Sequence, residues 1–415
     1  MTLIKTSLLN AIAVIIKMGA MLGINKVLAI YVGPAGYAVI GQFQNAIQMI
    51  TTFASGAINT GVTKYTAEYY NQPQKQIQVW RTASTIAVTG ALITAVLVGI
   101  FNKTLAAWFL KDESYGSVFV WFSVALVFFV LNALLLAILN GKKEIAKYIA
   151  ANITGSLFSV AVTVVMVVKF GLYGALVALA IHQSLNFFVI VFFVVKSNWF
   201  KFEYLFGKLD KEVSRNLAKY TAMALVSAAC IPVSHIMIRN HLGDTLGWDA
   251  AGYWEAMWRL SSAYLMFVTS TLSVYYLPRL SELANPADIK KEILQGYKII
   301  LPAAMTCGLV IYLLRDSIVG LLFTKEFAPM RELFAWQMLG DTLKIASWLL
   351  GYLLVAKTLT MYFVLTEVFF SALFFGLIYF GVDHYGFVFV AVAHAINYFV
   401  HFVTMIFILK KESVI

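Results

Sequence analysis

Charge is what this sequence has least of. Only 12% of its 415 residues are Asp, Glu, Lys or Arg, about half the share of an ordinary soluble domain, while 61% are hydrophobic. No soluble fold of this length buries so much apolar surface, so lipid must be part of the solvent. Cysteine is nearly absent: Cys230 and Cys307 both lie inside apolar runs, which excludes a loop disulfide and leaves the redox compartment unread. No Gly-Lys-Ser/Thr phosphate loop occurs, so ATP hydrolysis of that kind is excluded. No Cys/His cluster has metal-ligand spacing, and neither a metal nor any other cofactor is expected. The loops are short and their acidic residues are scattered singly. That argues against a membrane polymerase or transferase and against an enzyme in general.

What is present is a succession of apolar runs. At about 20 residues per span, the chain reads as all-α integral membrane, with about 12 transmembrane helices. They are expected near 6–31, 38–66, 81–101, 117–139, 146–168, 174–195, 217–240, 251–277, 293–314, 331–355, 360–380 and 387–409. Lys17 interrupts the first run and no cleavage site follows, so that run is an uncleaved helix.

The net charge of +11 does not point to nucleic acid, because its placement is one-sided. With loops assigned alternately, the N-terminal side holds Lys64, Arg81, Lys142, Lys143, Lys196, Lys201, Lys208, Lys211, Arg215, Lys290, Lys291, Lys410 and Lys411. The other side holds few. This is the positive-inside bias, and it puts both termini in the cytoplasm. The basic, aromatic segment 196–216 is expected on the anionic membrane surface. It divides the chain into an N-terminal six-helix bundle (1–200), a basic linker (201–216) and a C-terminal six-helix bundle (217–415).

The halves resemble each other. Tyr173-Gly174 with His182 recurs as Tyr385-Gly386 with His394; Lys143 and Tyr148 recur as Lys357 and Tyr362; Gly36-Tyr37 recurs as Gly252-Tyr253. The shared displacement predicts a parallel internal repeat, since six helices is an even number.

Polar residues mark the interior. Gly41, Gln44, Asn45, Gln48, Thr52, Ser55 and Asn59 recur at spacings of three and four, one face of the expected second helix. Amides facing lipid would lose hydrogen bonds at some kcal/mol each. The equivalent face of the eighth helix holds Glu255, Trp258, Arg259, Ser262, Met266, Thr269 and Ser273. Paired stripes predict a shared polar cavity rather than polar contacts between tightly packed helices.

Charged groups in a span default to functional hypotheses. Lys17 and Lys26 lie on helix 1, and Arg239 on helix 7. Arg259 is one turn from Glu255 and able to pair with it. Asp341 and Lys344 are one turn apart on helix 10, in a stripe with Gln337 and Trp348, and Glu367 sits alone on helix 11. His394, Asn397 and His401 share a face of helix 12, better suited to helix–helix hydrogen bonds than to a metal. Pro232 interrupts helix 7 and is expected to bend it.

Several stretches carry a family resemblance: Val32-Gly33-Pro34-Ala35-Gly36, Gly61-Val62-Thr63-Lys64-Tyr65, Tyr275-Tyr276-Leu277-Pro278, Leu313-Leu314-Arg315-Asp316, Leu333-Phe334-Ala335-Trp336-Gln337, Gly340-Asp341 with Leu343-Lys344, Gly351-Tyr352-Leu353 and Ala356-Lys357. Through them the chain resembles, almost end to end, the Wzx-type flippases of the multidrug/oligosaccharidyl-lipid/polysaccharide exporter superfamily. The resemblance implies two six-helix bundles of MATE-like fold working by alternating access. It implies an undecaprenyl-diphosphate-linked oligosaccharide as substrate, a repeat unit of enterobacterial common antigen or of a related O antigen. The substrate would move to the periplasmic leaflet of the bacterial inner membrane, beside polymerase and chain-length proteins of the same pathway.

On that reading Lys17, Arg259 and Lys344, with Lys26 and Arg239 as an outer ring, take the diphosphate, where Arg binds phosphate oxygens bidentately and Lys acts as a point charge. Gln44, Asn45, Gln48 and Asn59 bond sugar hydroxyls, and Trp258 stacks on a sugar. Glu255, Asp341 and Glu367 are the candidates for ion coupling. The alternative within the superfamily is a multidrug or cation antiporter, whose site should be dominated by carboxylates.

Overall fold

The structure, a computed structural model, describes residues 3–283, 285–357, 359–412 and 414. Among them every regular element is helical and no strand occurs. The chain divides into two compact units. The first holds Met1–Tyr31 and Val39–Pro232, the second Val32–Ala38 and Val233–Ile415. The division falls at Pro232, inside a helix, where the ring removes one backbone donor.

The first unit contains α1 (Leu3–Tyr31), most of α2 (Gly33–Ala54), α3 (Asn59–Glu68), α4 (Pro73–Ile100), α5 (Asn102–Leu110), α6 (Gly116–Gly141), α7 (Ile145–Val195) and the start of α8 (Lys211–Leu246). Its centre is α6. Phe43 of α2 meets Phe119 and Phe122 of α6 edge-on, at 5.3 and 6.4 Å between ring centroids. The solvent of this unit shows on α4. Large apolar side chains point outward from it (Leu92, Ile93, Val96, Ile100), while alanines point inward (Ala83, Ala87, Ala91). A water-soluble helix does the reverse. Small residues inside let helices approach closely, and large ones outside suit acyl chains.

The second unit contains the rest of α8, α9 (Trp248–Thr271), α10 (Leu277–Glu282), α11 (Pro286–Leu313), α12 (Arg315–Leu322), α13 (Phe334–Ala356), α14 (Thr360–Tyr385) and α15 (Phe389–Lys411). Leu349, Leu350, Leu353 and Leu354 of α13 form its core with Met405 and Leu409 of α15 and Ile289 and Ile293 of α11.

Eight helical stretches are long and apolar enough to cross a membrane among the described residues. One of them, α7, has 51 residues, about 76 Å of helix against a hydrocarbon core of about 30 Å. It breaks at Gly171, whose φ of 56° and ψ of −134° end one span and begin the next. The α2 and α9 helices are long enough at 22 and 24 residues but carry too many polar groups to register by hydropathy, and α8, at 36 residues, is long enough as well. With these the expected twelve spans are accounted for. The element order repeats as well: Pro73 and Pro286 each open a 28-residue helix, and each is followed by a short one, α5 or α12.

The expected second helix, 38–66, is corrected to two helices. Gly56 and Ala57 take positive φ (63° and 53°), the Ala57 amide turns back to the Thr52 carbonyl at 3.0 Å, and Thr221 donates to the Gly56 carbonyl at 2.9 Å. The predicted polar face of α2 therefore ends at Ser55, and Asn59 opens α3 instead of extending it. The expected eighth helix is likewise interrupted, by a π turn at Leu272–Tyr276; the Ser273 side chain lies outside the described residues. Segment 196–216 is tied to α4, with Thr85 bonding the Gly207 carbonyl at 3.2 Å and the Asp210 amide bonding Thr82 at 3.2 Å.

Candidate functional site

The charges of the second unit gather in one buried network. Glu255, on α9, is 4% exposed and serves two guanidiniums. Its Oε1 accepts Arg259 Nε at 2.8 Å, and its Oε2 accepts Arg239 Nε at 3.1 Å, with Arg239 Nη2 at 2.9 Å. The expected Arg259–Glu255 pair is present, one helical turn apart. Arg239 reaches the same carboxylate from α8, where it also donates to the His235 carbonyl at 3.3 Å. Each guanidinium lies against an aromatic face as well: Arg259 against Tyr37 at 5.4 Å, Arg239 against Trp254 at 5.6 Å. With all three groups ionised, one carboxylate against two guanidiniums leaves one net positive charge.

Asp341, on α13, is 1% exposed. Its Oδ1 lies 3.0 Å from His394 Nε2 and 3.3 Å from Gln337 Nε2, and its Oδ2 accepts the Tyr264 hydroxyl. Gln337 also donates to Ser261 at 3.2 Å. The neighbouring Lys344 does not pair with it. Its ammonium sits among three rings instead, 4.4 Å from Trp258, 4.9 Å from Trp348 and 5.2 Å from Tyr398. Such cation–π contacts strengthen as water is removed. The two halves of the network join through rings that meet edge to face: His235 against Trp258 at 4.4 Å between centroids, and Trp258 against His394 at 5.6 Å.

The structure thus brings together six of the residues read from the sequence: Arg239, Glu255, Trp258, Arg259, Asp341 and Lys344. Glu367 is half-buried on α14 and makes none of the bonds that tie this network together. In the first unit, Lys17 is exposed and Lys26 half-buried on α1. Gln44 and Asn45 are half-buried and Gln48 exposed on α2, and Asn45 donates to the Pro232 carbonyl at 3.5 Å. Asn59 is half-buried at the start of α3.

Sequence reasoning gave no role to Tyr264, His235 or Tyr398, because aromatic residues abound in every span; Tyr398 stands between His394 and His401 on the face already singled out, but carries no charge to mark it. The histidine face of α15 does bond between helices: His394 to Asp341, and His401 to Ser347. Among the described residues no group of His, Cys, Asp and Glu has metal-binding geometry.

These features define a multi-pass, all-helical transport fold with fixed charge buried inside one of its units. The fold is similar to an inward-facing multidrug resistance MATE family transporter of the MOP superfamily, with a TM-score of 0.76 at 14% identity, over 95% of this chain and 94% of the other. An outward-facing transporter of the same description gives a TM-score of 0.69 at 15% identity, over 97% and 95%. In sequence, residues 3–284 match the family model described as polysaccharide biosynthesis protein. The chain is also 32% identical over 402 residues, 97% of either chain, to the lipid III flippase of Escherichia coli strain K12. It belongs to the polysaccharide biosynthesis protein family.

Proposed function

We propose that this protein is a flippase for a lipid-linked oligosaccharide, moving an undecaprenyl-diphosphate-linked repeat unit of the lipid III kind from the cytoplasmic to the periplasmic leaflet by alternating access. The end-to-end likeness to a lipid III flippase carries this reading. The buried network of the second unit agrees with it: three basic side chains stand against two acidic ones, the opposite of what a cation carrier needs.

The costly part of such a substrate is its diphosphate, which must give up water in the membrane. Arg259 and Lys344 of the second unit replace that water with fixed positive charge, and Lys17 and Lys26 of the first unit do the same from α1. Arg239, bound to Glu255 by two nitrogens, positions that carboxylate and through it Arg259. Gln44, Asn45, Gln48 and Asn59 bond sugar hydroxyls, and Trp258 offers a ring face. Glu255, Asp341 and Glu367 are where a coupled ion would act. The protein sits in the inner membrane with both termini cytoplasmic, next to the polymerase and chain-length proteins that use its product.

The test is reconstitution. Purified protein in vesicles should move a labelled undecaprenyl-diphosphate oligosaccharide between leaflets. Arg259→Gln and Lys344→Met should both stop that movement while inserting and melting like wild type, since methionine keeps favourable contacts with the three rings. Undiminished flipping by both variants would remove the anion-binding role. Drug efflux without flipping would replace the reading with an antiporter.

A further inference from the structure

The stretch Gly61-Val62-Thr63-Lys64-Tyr65 lies on α3, in the first unit, and the network described above makes no use of it. This helix presses against the end of α6. A Cβ on Gly141 would stand 2.6 Å from Thr66 Cβ and 2.7 Å from the Thr63 carbonyl, so glycine alone permits the contact. Thr63 also donates to the Ala137 carbonyl at 3.2 Å. Behind it Gln76 donates to the Thr66 carbonyl at 2.6 Å, and Trp80 donates to the Thr66 hydroxyl at 2.9 Å. Two buried side chains of α4 thus hold α3 in place.

On this base the turn after α6 presents two lysines. The Lys143 amide bonds the Asn140 carbonyl at 3.0 Å and the Glu144 amide bonds that of Leu139 at 3.2 Å, which puts Lys143 at the left-handed position usually given to glycine. Its φ is 58°, a conformation that costs a lysine backbone energy. Lys142 donates to Gln76 Oε1 at 3.1 Å, and its ammonium lies 5.2 Å from the Tyr70 ring and 5.3 Å from that of Trp199. The Lys143 ammonium lies 5.6 Å from the same Tyr70 ring, which is 47% exposed. Lys75 over Tyr69 and Lys64 over Tyr65 extend the pattern, at 5.4 and 5.2 Å. The carboxylate of the turn is shared: Glu144 accepts Trp199 Nε1 at 3.0 Å and pairs with Lys147 at 3.6 Å, and its charge also acts on Lys142, which leaves the lysines of the turn in excess. The other acid of this face, Glu68, points outward from α3.

Two cations aimed at one exposed ring, on a turn whose backbone pays for a lysine where glycine is cheapest, make a preorganised anion site. An anionic membrane surface attracts each lysine near it by about 1 kcal/mol and demands no fixed spacing between them. Lys142 and Lys143 side by side suit the two linked phosphates of a diphosphate, and Tyr70 suits the sugar next to them. We propose that the Gly141-Lys142-Lys143 turn, with Tyr69 and Tyr70 at the end of α3, is a docking site for the diphosphate headgroup of the lipid-linked substrate before it is carried across. This rests on the flippase reading, and on the turn facing the cytoplasm.

Native mass spectrometry of the full-length protein in detergent tests it, with undecaprenyl diphosphate and phosphatidylglycerol as separate probes. Lys142→Gln/Lys143→Gln should weaken undecaprenyl diphosphate retention about fivefold per lysine removed, the usual worth of one lysine against an anionic headgroup, and leave phosphatidylglycerol retention unchanged. Lys143→Gly separates binding from folding: glycine relaxes the backbone, so this variant should melt no lower than wild type and still lose its share of binding. In vesicles the double variant should need more substrate for half-maximal flipping, with the same maximal rate. Unchanged undecaprenyl diphosphate retention would overturn the docking site, as would equal loss of both probes, which would make the turn a general lipid contact. If wild type retained no undecaprenyl diphosphate at all, the flippase reading itself would fall.

Discussion

Glu255 holds two guanidiniums in a buried place, so the three members of this triad differ in what their loss would do. Removing Glu255 leaves Arg239 and Arg259 as uncompensated buried like charges, a change that costs about 3–5 kcal/mol in comparable sites. Removing Arg259 leaves a neutral Arg239–Glu255 pair. Glu255→Gln should therefore lower the melting temperature in detergent markedly, whereas Arg259→Gln should barely move it while abolishing flipping. Equal melting of the two variants would mean that the triad is not the electrostatic unit it looks to be. The Arg259–Glu255 half of it was legible in the sequence, because a separation of four on a helix makes neighbours. Arg239 was read as part of an outer ring because its partner lies on the next helix, and no spacing rule reaches across that turn. Lys344 was legible as a buried cation one turn from Asp341. That it stands among rings from α9, α13 and α15 was not legible, since a cation–π contact leaves no periodic mark.

At the scale of helices, glycine decides where segments bend and where they touch, for two different reasons. Gly171 breaks α7 with a backbone conformation closed to other residues, yet among the described residues nothing stands within 4 Å of where its Cβ would be. Gly141 has no unusual φ, but its missing Cβ makes room for the α3 backbone. Gly171→Ala should cost about 1–3 kcal/mol through strain alone. Gly141→Ala should cost a similar 1–3 kcal/mol or so through overpacking, and it should also weaken the proposed docking site by pushing α3 away. Denaturation in mixed micelles measures the first cost, and headgroup retention separates the second. The start of α8 offers a pH test. The Val213 amide bonds the Asp210 carboxylate at 2.9 Å, and this backbone hydrogen bond, helped by Gln78, holds the carboxyl below its usual range. The cap's stabilisation is therefore present above the ordinary aspartate pKa and is lost as pH falls through the lower folded value. Asp210→Asn should remove that acid sensitivity from the α4–α8 connection, read by hydrogen exchange of the first turn of α8. Among the elements, the apolar runs gave the existence and order of the long helices, with ends off by as many as eight residues, as where the third begins at Pro73 and not at 81, while the α2–α3 break was hidden. The polar spacing of three and four runs straight through Ser55-Gly56-Ala57, and one glycine in a helical pattern is no sure stop.

For the whole molecule the decisive quantity is the charge that crosses. On the proposed function a diphosphate headgroup leaves a negative interior, and each negative charge moved outward gains about 2.3 kcal/mol per 100 mV, so two charges gain about 4.6 kcal/mol at that potential. That exceeds what is needed to pull a two-leaflet distribution a thousandfold to one side, since each factor of ten requires about 1.4 kcal/mol. No coupled ion is then required for net export. Vesicles holding the reconstituted protein, with a potassium diffusion potential set by valinomycin, distinguish the two cases. If the headgroup moves alone, an interior-negative potential should drive labelled substrate from inner to outer leaflet, and reversing the potential should reverse the flow with no pH or sodium gradient present. If two protons or sodium ions travel with the headgroup, the moving complex is electroneutral and the potential should have no effect on the final distribution, while collapsing the ion gradient should. In that second case Asp341→Asn and Glu367→Gln become the variants to examine. The one that abolishes gradient dependence while leaving exchange between leaflets intact is the coupling site, because it separates carriage of the headgroup from carriage of the ion.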